Sequence, residues 1–125
     1  MTTTIRNYKD LLVWQRALAF AVEIYRATQR FPREEIYGLT SQIRRAAVSL
    51  PSNIAEGQAR STDPAFANHL DIALGSAAEL ETQLTIACEV GYLSAAVHER
   101  LCAELTEITR MIYGLLHKVR GNRKQ

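Results

Sequence analysis

The side chains most able to do chemistry in this chain are two cysteines, Cys88 and Cys102, and three histidines, His69, His98 and His117. His98 and Cys102 stand four residues apart, so on a helix they share a face. A hairpin between the flanking helices would bring Cys88 near them, and three such ligands converging would suit zinc. The competing reading is that a cysteine on an apolar stripe is a small buried hydrophobe, and that reading is adopted here: no metal and no other cofactor is expected. No histidine follows a glutamate by three, as di-iron bundles require. A glycine-rich phosphate loop, GxSxG, HExxH and CxxC are all missing. No catalytic residues are assigned, and no enzymatic activity is expected.

A second constellation is polar: Arg45, Ser49, Asn53, Glu56 and Arg60, three or four residues apart. Glu56 precedes Arg60 by four, the favourable order for an intrahelical pair of about 0.3–0.5 kcal/mol. Such a stripe could line a ligand pocket, but interhelical or intersubunit polar contacts are the preferred account of Arg45, Asn53 and Glu56. Pro51 lies inside the same helical pattern. It removes a backbone donor and crowds the carbonyl of Ala47, costing about 3 kcal/mol in a helix interior, so a kink is expected there. Ser49 and Ser52 flank it and can satisfy freed backbone groups.

The elements that carry these residues are helices. Alanine is the commonest residue and β-branched runs are missing, which favours helix. Periodicity predicts four. The first spans about 11–28, with Asp10 as N-cap and Phe31-Pro32 as the stop. The second spans about 39–60. The third opens on Asp63 as cap with Pro64 at its first position, and ends near Val90 with Gly91 left-handed beyond it. The fourth starts after Ser94 and fades at Gly121-Asn122, leaving a basic, flexible tail over 118–125. Its stripe, Leu101, Leu105, Ile108, Ile112, Leu115 and Val119, has the four-three spacing of an antiparallel bundle. With short connections, the expected fold is all-α: an up-down-up-down antiparallel four-helix bundle of one domain, residues 1–125, with its second helix kinked at Pro51.

Two apolar sets lie off the expected core. At 100° per residue, Val48, Pro51 and Ala55 form an outward patch on helix 2, and Ile72, Ile86 and Val90 form one on helix 3. Both read as subunit interface. Trp14 reads as an aromatic core anchor.

Net charge is +2, unevenly spread: residues 1–62 carry +4, residues 63–117 carry −6, and residues 118–125 carry +4. An up-down bundle puts both termini and the helix 2–3 turn at one end. Arg6, Lys9, Arg60, Lys118, Arg120, Arg123 and Lys124 then gather there, against Asp10, Glu56 and Asp63, as a basic pole. Opposite charge on two faces of one subunit also favours head-to-tail contacts that close into rings. The longest stretch free of charged residues, 46–55, is ten residues, about half a membrane span. The N-terminus carries no apolar run of signal-peptide length. Two cysteines do not make a disulfide framework, so a cytoplasmic protein with reduced thiols is expected.

Several stretches resemble a known family. They are Leu12-Val13-Trp14-Gln15; Phe31-Pro32 with Glu35; Tyr37-Gly38-Leu39; Gln42 with Arg44-Arg45-Ala46-Ala47; Pro51-Ser52-Asn53-Ile54-Ala55-Glu56-Gly57 with Arg60; and Gly75-Ser76 with Glu79-Leu80 and Thr82-Gln83-Leu84. In these the chain resembles the four-helix bundle proteins first noticed as reading frames in intervening sequences of bacterial 23S ribosomal RNA genes. A related protein is the accessory variability determinant of diversity-generating retroelements. The resemblance implies a cyclic homopentamer with no enzymatic activity. The related protein implies a basic barrel that associates with a reverse transcriptase and with nucleic acid. Arg44, Arg45, Asn53, Glu56 and Arg60 carry over as structural or interface residues.

Two functions therefore compete. The first is an oligomeric adaptor that binds RNA or DNA through backbone phosphates. The second is a structural or protein-interaction module with a protein partner and no nucleic-acid role. Salt dependence separates them, because a phosphate-driven complex weakens steeply as salt rises.

Overall fold

The computed structural model describes residues 7–123. Four helices follow in order: α1, Leu12–Ala27; α2, Leu39–Ala59; α3, Asp63–Glu89; and α4, Ala95–Arg123. Single 3-10 turns precede α1 at Tyr8–Asp10 and α2 at Arg33–Glu35. No strand occurs among the described residues. Each helix packs against its chain neighbours, α1 also meets α4, and the backbones of the diagonal pairs do not approach closely, so the four form a closed square. Arg16 of α1 pairs with Glu104 of α4 and Glu23 with Arg100. Advance along α1 thus matches retreat along α4, the up-down-up-down arrangement.

The helix ends correct three sequence expectations. Asp10 does not cap α1; it sits within the preceding 3-10 turn, whose cap is Asn7, and the N-cap of α1 is Leu11, with no side-chain bond. Thr62, not Asp63, caps α3: its hydroxyl accepts from the Ala65 N–H, and Asp63 becomes the first helical residue. Helix α4 does not fade at Gly121 but continues to Arg123. Buried Val119 anchors this last stretch, so residues 118–123 are helix rather than tail. At the other end of α3, Gly91 adopts φ +90°, the left-handed conformation glycine tolerates without strain.

One core runs the length of the square. Phe20, Ile24, Ile43, Leu50, Ile54, Leu70, Leu80, Leu84, Leu101, Ile108 and Ile112 are fully buried in it. On α4 the buried stripe passes through Leu116 rather than Leu115, which is only half-buried. Trp14 is likewise half-buried, edge-on to Tyr8 at 5.1 Å between ring centroids. The α1–α4 contact is the smallest between neighbouring helices. The Arg16 guanidinium grips Glu104 there with two parallel bonds, 2.6 and 3.2 Å, the fork geometry that gives such pairs their directionality.

Candidate functional site

The polar stripe of α2 divides. Asn53 turns inward and is 9% exposed. Its amide Nδ2 donates to the Ser49 carbonyl at 3.0 Å and to Ser49 Oγ at 2.8 Å, while its Oδ1 lies 3.0 Å from His69 Nδ1 on α3. The amide nitrogen is committed to Ser49, so His69 supplies the N–H in that last bond. Ser49 Oγ lies 2.7 Å from Ser76 Oγ. A chain of four polar side chains, Ser76, Ser49, Asn53 and His69, thus stitches α2 to α3. One turn further on, Gly57 lets the helices close: a Cβ there would lie 2.8 Å from both His69 Cβ and Phe66 Cδ1. Pro51 is buried at the opposite edge of the helix's buried face, and α2 runs through it unbroken from Leu39 to Ala59. Asn53 and Gly57 are therefore a helix-packing device. Asn53→Ala should lower stability by about 2 kcal/mol, because it leaves the buried side of His69 without its partner. Chemical denaturation checks this, and Asn53→Asp should recover part of the loss by restoring an acceptor.

The rest of the stripe lies apart. Arg45 is exposed and lines a shallow α2–α3 groove of roughly 360 Å³ with Gln42, Ser49, Ser76 and Glu79. Glu56 and Arg60 do not line it. The expected Glu56–Arg60 pair does not form among the described residues. Arg60 is the C-cap of α2 with extended backbone, ψ 155°, so it has left the helix that would align the two. Arg44 turns back to α1. It donates to Thr28 Oγ1 at 2.9 Å and to the Tyr25 carbonyl at 3.3 Å, with its guanidinium 4.6 Å from the Tyr25 ring centroid. It is a structural clamp.

The expected outward patch on α2 is also smaller than its sequence suggests. Pro51 is buried and Ala55 half-buried, leaving Val48 as its exposed member. On α3, Ile72 and Ile86 are each 46% exposed and Val90 56%.

The basic pole keeps part of its membership. Lys9, Arg60 and Lys118 are exposed, at the end shared by the first 3-10 turn, the α2–α3 turn and the last turns of α4. Arg120 is tied to Asp71 of α3 at 2.9 Å. Arg6 and Lys124 lie outside the described residues, and Arg123 enters only as the last helical position. Together with Arg16–Glu104, the Arg120–Asp71 pair shows that part of the charge division is consumed within the chain.

At the opposite end, sequence reasoning missed a tie made by Glu35. One carboxylate oxygen accepts the Leu39 N–H at 3.1 Å, capping α2 where Gly38 has no side chain to do so. The other accepts the Tyr92 hydroxyl at 3.0 Å. That bond first, then burial, holds the Tyr92 phenol above its ordinary range. The only sequence signal was a glutamate four residues before a helix start.

His98 and Cys102 do share a face, with Nε2 3.4 Å from Sγ, and Thr85 Oγ1 is 3.2 Å from the same nitrogen. Burial, with lesser contributions from Glu81 and Cys88, pushes the Cys102 thiol up, which favours the protonated thiol over the thiolate a metal needs. No group of three or more His, Cys, Asp or Glu suited to a metal ion occurs among the described residues. No helix among them is long and apolar enough to cross a membrane.

No curated protein matches the chain by sequence. Among solved structures it is similar to a protein with unknown function from the S23 ribosomal protein family of Bacteroides thetaiotaomicron VPI-5482. The two share 26% identity at a TM-score of 0.78, over 85% of this chain and 96% of that one. A family model described as 23S rRNA-intervening sequence protein matches residues 9–114, which takes in all of α1 to α3, the Asn53–His69 seam and most of α4. By that match the chain belongs to the 23S rRNA-intervening sequence protein family.

Proposed function

We propose that the protein is a non-enzymatic, self-assembling bundle that holds nucleic acid by its phosphates at the end bearing Lys9, Arg60 and Lys118. The observation that carries this reading is the pairing pattern of the cations. Arg16, Arg100, Arg110 and Arg120 are held by carboxylates, whereas Lys9, Arg60 and Lys118 face solvent together at the end that bears the termini and, like Arg26 and Arg30 at the other end, have no ion pair among the described residues. Cyclic assembly multiplies such a pole on one rim, raising a field one subunit cannot generate. Val48, Ile72 and Ile86 supply apolar surface for the assembly. A ring of five is the number taken from the resemblance, and a reverse transcriptase is the protein partner it suggests. A cytoplasmic setting, where Cys88 and Cys102 stay as thiols, belongs to the same reading.

Light scattering should report a species near five times the 14.0 kDa chain mass. Ile72→Asp with Ile86→Asp should reduce it to monomer without loss of helicity. A wild-type monomer at micromolar concentration overturns the assembly. For binding, Lys9→Ala with Arg60→Ala and Lys118→Ala should weaken association with single-stranded RNA at low salt. The log–log salt slope should shrink by about 0.7 for each phosphate no longer neutralised. Equal affinity and slope in the variant would reject the rim and favour the protein-interaction module.

A further inference from the structure

The end of the bundle opposite the basic rim holds a cleft of roughly 550 Å³ between the last turns of α1 and the start of α4. Three arginines, Arg26, Arg30 and Arg100, and one glutamate, Glu23, are among the residues that line it. Glu23 is already engaged, with Arg100 at 2.9 Å. Arg26 and Arg30 have no ion pair among the described residues. The nearby Glu35 carboxylate does not cancel them by direct pairing, since its oxygens take the Leu39 N–H and the Tyr92 hydroxyl. Ala27, Leu93 and Val97 add apolar surface to the lining. The first turn of α4 opens on the same space: Ser94 lines it and its hydroxyl accepts the Val97 N–H. The positive end of the α4 dipole adds to the guanidinium charge.

We propose that this cleft binds a phosphomonoester of a small organic molecule, of nucleotide size or less. Two unpaired guanidiniums match a group carrying close to two negative charges at neutral pH, and their planar forks fit phosphate oxygens in pairs. A backbone phosphodiester carries one charge and matches less well. The volume lies within the range of small-molecule sites, and the apolar lining suits the organic part of the ligand. The site is independent of the rim, being built from other residues at the other end.

The test is calorimetric titration of the full chain with AMP, with inorganic phosphate, and with a short single-stranded RNA lacking terminal phosphates. AMP should bind once per chain and more tightly than inorganic phosphate. Arg26→Ala with Arg30→Ala should weaken AMP by about tenfold or more, the loss expected for charge-assisted hydrogen bonds. Arg60→Ala with Lys118→Ala removes the same charge from the opposite end and should change AMP affinity less than twofold. Glu23→Gln frees Arg100 and should tighten AMP severalfold. Three results overturn the site: no AMP binding at millimolar concentration, equal losses in the two double variants, or RNA binding that depends on Arg26 and Arg30 while AMP does not bind.

Discussion

Gly57→Ala should destabilise the protein by about 3 kcal/mol, at the upper end of the usual cost of overpacking a core. The sign opposes intrinsic propensity, because alanine is favoured over glycine inside a helix by about 1 kcal/mol. The reversal comes from α3. A methyl at position 57 would lie 2.8 Å from His69 Cβ and Phe66 Cδ1, and 3.3 Å from the Phe66 carbonyl oxygen. Neither Cβ nor backbone oxygen is a flexible tip that swings aside, so the helices must separate, and the His69–Asn53 bond is stretched as they do. Gly114→Ala is the internal control. Gly114 lies within α4, is exposed, and has nothing within 4 Å of the added Cβ, so the same substitution there should stabilise by roughly 0.5–1 kcal/mol. Urea denaturation of both variants at equal protomer concentration checks the pair, since self-association would otherwise enter the midpoint. Equal shifts in the two variants would mean that α2 and α3 do not approach closely at Gly57.

Ile54→Ala should cost more, about 4 kcal/mol, within the range for deleting a fully buried branched side chain. Ile54 is 0% exposed and belongs to the continuous core. It stands next to Asn53, whose bonds hold α2 at fixed height against α3, so the walls cannot readily collapse into the void. The same truncation at Ile72, 46% exposed on α3, should change the stability of an isolated bundle by less than about 0.5 kcal/mol. A larger and concentration-dependent loss at Ile72 would show that this face is covered by another copy. Unfolding midpoints for the two variants at several protein concentrations separate these outcomes.

Much of the architecture was legible in the residues because helix periodicity is local. The apolar stripes, Pro64 near the start of α3 and Gly91 beyond its end each act within a turn or two of chain, and short connections force neighbouring helices antiparallel. Cap positions slipped by one residue at Asp63 because Thr62 and Asp63 are both good caps, and backbone angles chose between them. The α4 terminus ran on past Gly121 because burial of Val119 outweighs the weak local preference of one glycine.

The number, order and direction of the helices, and the centre line of each apolar face, follow from local periodicity and short connections. Packing between helices sets how wide those faces are. On α2 the apolar residues mark an arc of about 100°, but contact with both α1 and α3 widens the buried arc to about 160°. Pro51 at one edge and Asn53 at the other are swept inside, so one member of the expected outward patch joins the core and one member of the expected polar stripe joins the α2–α3 seam, while Val48, Arg45 and Glu56 stay exposed. Partner choice was equally beyond the chain's local pattern. Asn53 with His69, Arg44 with Tyr25, Glu35 with Tyr92 and Arg120 with Asp71 lie 16, 19, 57 and 49 residues apart. Periodicity reports which side of its own helix a residue occupies. Which side chain waits across the gap depends on the relative height and rotation of two helices, and those are set by packing the whole core at once.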